Sequence, residues 1–168
     1  MRSKRRLYAG VLAVVVLGVL LFTPVVAAAN GKGKRALRIV ATEIQFQFLD
    51  LGTPGPSLGD ELVFSERLSR HRRSIGVSGV VCTATLVEPP YDNLRFHCVA
   101  TLKLKRGQIT LQGLIEVQGE DDPGPFKVAI TGGTGRYVGA GGKAVIRDVS
   151  PTKSIYTLRF ASRKHHGK

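Results

Sequence analysis

Apolar and polar residues alternate through most of the chain after residue 36, with the two-residue period of strands rather than the 3.6-residue period of helices. From Ala36 to Leu51 this reads as one long strand, with Val40, Ile44, Phe46 and Phe48 on one side and Ala41, Glu43, Gln45 and Gln47 on the other. Gly52 to Ser57 ends it, because its two prolines have no N–H to give to a ladder. Gly59 to Leu68 is the second strand and Ser69 to Ser74 a basic hairpin tip. Val77 to Val87 and Leu94 to Lys105 follow, joined by the stretch Glu88 to Asn93. In the latter strand Leu94, Phe96, Cys98, Ala100, Leu102 and Leu104 form a core face opposite Arg95, His97, Thr101, Lys103 and Lys105. Gln108 to Gln118 alternates again around a bend at Gly113, and Gly119 to Pro125 is a turn by composition. Phe126 to Thr131, Gly141 to Val149 and Ser154 to Ala161 bring the total to about eight strands. Short strands at regular spacing, with turn signals between them, predict an all-β sandwich or closed barrel.

The first 29 residues do not fit this pattern. Arg2, Lys4, Arg5 and Arg6 precede an apolar run from Leu7 to Phe22, and Ala27, Ala28 and Ala29 offer a small-residue cleavage site. That is the layout of a secretory signal peptide. The competing reading is an uncleaved anchor, but a spanning helix needs about 20 apolar residues and this run is shorter. The expected organisation is a signal peptide over 1–29, a disordered basic lead-in over 30–35, a β domain over 36–161 and a disordered basic tail over 162–168. The expected location is secreted or extracellular, with possible attachment to the cell surface. Removing 29 of the 168 residues leaves 139, enough for one domain with one core.

Charge narrows the partners. The leader takes four of the 25 basic residues and none of the 12 acidic ones, which leaves 21 against 12, a net of +9. The cations fall in four separate runs, at Lys32 to Arg38, Arg67 to Arg73, Lys103 to Arg106 and Arg163 to Lys168. No recognition helix, zinc-binding or RNA-binding motif accompanies them, so no specific nucleic acid is expected. Attraction to an anionic polymer at the cell surface remains open. His71, His97, His165 and His166 lack the spacing of a metal site, and no metal is expected.

Glycine is concentrated between Ala129 and Gly142, at positions 132, 133, 135, 139, 141 and 142. A phosphate-binding loop would need a following lysine and hydroxyl, or GxGxxG opening a helix, and neither is present. The stretch is therefore read as a tight corner between strands. The run Ile130-Thr131-Gly132-Gly133-Thr134-Gly135, continued by Tyr137, Gly139, Ala140 and Gly142, resembles the glycine signature of allene oxide cyclases and dirigent proteins. Ser57-Leu58-Gly59-Asp60 with Val63-Phe64, Gly76 with Cys82, the segment Gly107 to Gly113, and Pro151 to Phe160 agree in the same order. The resemblance covers roughly residues 36 to 161 and implies an eight-stranded antiparallel β-barrel, a homotrimer and no cofactor. It also implies a small hydrophobic or phenolic ligand in the lumen, whose conformation or stereochemistry the barrel guides. An isomerase of the cyclase type and a non-catalytic surface protein are the alternatives.

Three sets of residues carry candidate chemistry. Glu43-Ile44-Gln45 is similar to the Glu-Ile-Asn of the cyclases, where the glutamate stabilises developing positive charge and the amide helps to hold a water. On that resemblance Glu43 and Gln45 are the catalytic candidates; the other reading makes them an ordinary solvent face. Cys82 and Cys98 lie on consecutive strands, and pairing Val87 with Asn93 sets them opposite each other, within reach of a disulfide. Two buried thiols, or a free Cys82 lining the lumen, are the alternatives. By resemblance Cys82 and Tyr156 are candidate ligand-binding residues of the lumen. Asp50, Asp60 and Arg67 match the dirigent residues by type alone.

Overall fold

A computed structural model describes residues 36–91, 93–119 and 124–162. The expected leader and lead-in, most of the basic tail, and residues 92 and 120–123 lie outside the described residues. The strands are β1 (Leu37–Leu49), β2 (Glu61–Arg70), β3 (Arg73–Glu88), β4 (Asn93–Leu104), β5 (Gly107–Gln118), β6 (Phe126–Gly133), β7 (Gly142–Ser150) and β8 (Lys153–Phe160). Each is antiparallel to the next, and β8 closes onto β1 through Leu37 opposite Leu158 and Thr42 opposite Lys153. The chain is thus an eight-stranded antiparallel β-barrel, and closure leaves no open sheet edge.

Inward residues follow the alternation. The completely buried Ile39, Leu68, Leu102, Ile109 and Leu158 each lie about two residues from the β1 start, the β8 end or the β2–β3 and β4–β5 turns. They plug that end of the barrel. The opposite end, framed by the β1–β2 connection and the β7–β8 turn, is the mouth. Val80, Ala100, Leu111, Val128 and Ile146 continue the core towards it.

Single inserted residues move the faces away from the expected pattern. In β1, Glu43 pairs with Glu66 and Gln45 with Ser65, so Ile44 is an extra residue, a bulge. Alternation reverses there. Ile39, Ala41 and Glu43 face inward, and beyond the bulge Phe46 and Phe48 do so, opposite Phe64 and Leu62. Val40 and Ile44, which plain alternation puts on one side with Phe46 and Phe48, do not share their face, and Ile44 is exposed. A second bulge at Thr85 changes the β3–β4 turn: Glu88, not Val87, pairs with Asn93. Cys82 still faces Cys98, because the inserted residue offsets a connection one residue shorter than expected. The two form a disulfide with a Cα–Cα distance of 4.0 Å.

The glycine-rich corner holds one turn of 3-10 helix, Gly135–Tyr137. Gly107, at the start of β5, has φ +136°, and a Cβ there would strike the Thr134 carbonyl. Two backbone segments touch at that point, which is why the residue is glycine.

Candidate functional site

Five strands bring polar groups to the mouth. On β2 the inward row is Leu62, Phe64, Glu66 and Leu68, so one carboxylate interrupts an apolar row. Glu66 is only 4% exposed. It accepts a hydrogen bond from the Ser78 hydroxyl of β3 and from the Tyr156 phenol of β8, the latter at 2.9 Å to Oε2 and 3.1 Å to Oε1. Glu43 of β1 stands directly across from Glu66. Its backbone N–H donates to the Thr152 carbonyl at 2.9 Å, which ties β1 to the β7–β8 turn. Asp148 of β7 completes the group and accepts from the Ser154 hydroxyl.

Glu43, Glu66 and Asp148, with Phe64, Ser154 and the turn from Val149 to Lys153, bound a pocket of about 610 Å³. Beside it, Phe64, Val80, Cys82, Cys98, Leu111 and Tyr156 line an apolar cavity of only about 50 Å³. Ligand sites run from about 300 to 1,000 Å³, so the first pocket is of ligand size and the apolar cavity is not. The Tyr156–Glu66 hydrogen bond sits where the two spaces meet, and Phe64 borders both. Phe46 adds a second ring 6.4 Å from that of Phe64.

Electrostatics single out Glu66. Burial holds its carboxyl above the ordinary carboxylate value; hydrogen bonds from Ser78 and Tyr156 pull it back, while the charges of Asp148 and Glu43 push it up again. Burial, and then the adjacent Glu66, push the Tyr156 phenol well above its ordinary value. Burial and the neighbouring carboxylates thus favour the protonated form of Glu66 beside a pocket bordered by Phe64. Among the described residues, no three His, Cys, Asp or Glu side chains are placed to hold a metal ion.

The candidates named from sequence are thereby sorted by position. Glu43 lines the mouth and Tyr156 reaches it through Glu66. Gln45, past the bulge and opposite Ser65, is exposed on the outer face and is not brought to Glu43. Cys82 lies in the wall of the small cavity as half of the disulfide. Asp60 is occupied elsewhere: its carboxylate accepts from the N–H groups of Leu51 and Ser57 and from the Ser57 hydroxyl, and so clamps the β1–β2 connection. Asp50 accepts from the Gly55 N–H in the same connection, and Arg67 is exposed. Glu66, Ser78 and Asp148 were not singled out from sequence. A lone carboxylate in an otherwise apolar inward row was the available signal for Glu66.

Comparison with known proteins adds the following. The family described as "Allene oxide cyclase barrel like domain" matches residues 38–159. Among solved structures, a pyocyanin demethylase is 30% identical at TM-score 0.65, covering 76% of this chain and 100% of that one. The pterocarpan synthase dirigent protein PsPTS1 is 14% identical at TM-score 0.54, covering 76% of this chain and 96% of that one. The Diels-Alderase AbmU from Streptomyces koyangensis is 14% identical at TM-score 0.58, covering 84% of this chain and 76% of that one. The search of curated proteins finds no match.

Proposed function

The chain belongs to the allene oxide cyclase barrel-like family, and from that premise we propose that it binds a small hydrophobic or phenolic molecule at its mouth and guides that molecule's reaction. Glu66 is the group that holds or accepts the proton. The observation that carries this reading is the convergence of Glu43, Glu66 and Asp148 on one pocket, with Glu66 buried and fixed by two donors. Burial, with the nearby charges of Asp148 and Glu43, disfavours the ionised form of Glu66, so it keeps its proton to higher pH than a free carboxyl. A ligand held against Phe64 and Phe46 meets that proton at a fixed place, and confinement supplies the rest.

The similar structures support this class of function, since a demethylase, a Diels-Alderase and a dirigent protein are all, by their names, proteins of small-molecule chemistry. The small volume of the apolar cavity favours chemistry in the larger pocket. A second reading is the cyclase-type isomerase, in which Glu43 steadies developing positive charge; its place across from Glu66 at the mouth supports it. The protein is taken to act outside the cell, as a homotrimer assembled through an outer apolar row of Val63, Val81 and Val99, which oppose one another on β2, β3 and β4.

Native mass spectrometry of the purified protein, followed by titration with phenolic and fatty-acid probes and with pyocyanin, tests the proposal. A bound molecule in stoichiometric amount, or a probe whose binding or turnover falls at least about tenfold in Glu66→Gln, is the expected result. Binding that is unchanged in both Glu66→Gln and Glu43→Gln would remove the mouth from consideration.

A further inference from the structure

The cationic runs that lie far apart in sequence meet at the plugged end of the barrel, away from the mouth. Arg70, Arg72 and Arg73 come from the β2–β3 turn, Lys105 and Arg106 from the β4–β5 turn, and Arg136 from the 3-10 turn. All six are exposed. The backbone N–H of Arg136 donates to the Arg106 carbonyl at 2.8 Å, which fixes two of these segments against each other. The described acidic residues lie in the other half of the barrel or turn into the mouth. Among the described residues, the single ion pair, Arg95 with Glu116 at 2.9 Å, is also at the mouth end. Among the described residues, the basic side chains therefore meet no carboxylate there.

Between these turns runs a groove of about 310 Å³ with Leu37, Ile75, Leu104 and Tyr137 in its floor. The Tyr137 ring is backed by Phe160, stacked at 6.4 Å between centroids. The hairpin tip adds an independent sign. His71 and Arg72 have φ of +51° and +63°, where a two-residue turn favours Asn-Gly. Non-glycine residues are strained in that region, so the tip holds cationic side chains at the expense of stability.

We propose that this end is a docking surface for an anionic glycopolymer, a saccharide chain with repeating sulfate, phosphate or carboxylate groups. Arginine forks match such groups in pairs of hydrogen bonds. The aromatic floor offers a face to a sugar ring, and the concave groove holds a chain. A bilayer surface would instead call for apolar residues protruding from a flat cationic face. Single-stranded nucleic acid would call for several exposed aromatic platforms, and the groove floor has one aromatic ring. The surface is separate from the mouth and does not depend on the chemistry proposed there.

Heparin is the probe, titrated against the full chain at several salt concentrations. The expected result is an affinity that falls linearly in log–log form with salt. Arg70→Gln with Arg106→Gln should weaken binding at least about tenfold, at roughly 1 kcal/mol for each cation lost. Lys127→Gln with Arg147→Gln removes the same charge from exposed positions on β6 and β7 and should leave affinity within about twofold. His71→Asn with Arg72→Gly should melt higher than wild type and bind heparin more weakly, which separates docking from folding. Equal losses in the two Gln pairs would reduce the effect to net charge and overturn the proposal. Binding to vesicles rich in anionic phospholipid with none to heparin would overturn it in favour of a membrane.

Discussion

Two carboxylates with opposite shifts give the site and its frame opposite pH behaviour. Unfolded Glu66 titrates near 4.5 and the folded group higher, because burial disfavours its charge. Between those two values the folded state carries the extra proton, so stability falls as pH rises through the window, and the deficit is complete above the folded value. Glu66→Gln removes that ionisation. Its melting temperature should exceed that of wild type at pH 8, with the gap closing at pH 4; a gap of equal size at both would show that burial has no hold on the proton. Asp60 has the other sign. The Leu51 N–H, and then the Ser57 donors, hold it below 3.8 against the opposing effect of burial. Its contribution is present above the unfolded value and is lost as pH falls through the folded one. Asp60→Asn should therefore speed amide exchange at Leu51 and Ser57 at pH 7, with the difference narrowing towards pH 2.

At the level of strands, what the sequence revealed depended on whether the two-residue period ran unbroken. In β4 and β5 it does, and the inward sets Leu94 to Leu104 and Ile109 to Val117 are as the alternation predicts. In β1 one inserted residue, Ile44, reverses parity at mid-strand. Bulges need no special residue type, so nothing in the chain announces this one. The same insertion separates Glu43 from Gln45, which plain alternation sets side by side on one face. The mouth was legible through Glu43 and Tyr156, but not through Asp148, whose surroundings depend on where the β7–β8 turn falls. The cysteine pair was legible because two one-residue differences cancel. The resulting cross-link spans 16 residues, and replacing both cysteines by alanine should cost about 3 kcal/mol by loop-closure entropy, read as a lower denaturant midpoint.

For the molecule as a whole, a closed cylinder has no edge to offer, so self-association has to use an outer face. Val81 and Val99 are 40% and 43% exposed and stand opposite each other, with Leu114 nearby on β5 at 60%. Val81→Lys with Val99→Lys leaves the inward residues untouched and should convert a trimer to monomers in light scattering; a wild-type mass already equal to one chain would exclude this interface. Even strand number has a practical consequence of its own. Eight up-and-down passes return the polypeptide to the end from which it set out, so β1 begins and β8 finishes beside the plug. A linker to a bead, a sensor chip or another protein, joined just before β1 or just after β8, would hold the barrel like a cup by its base, with the open rim turned towards whatever diffuses past.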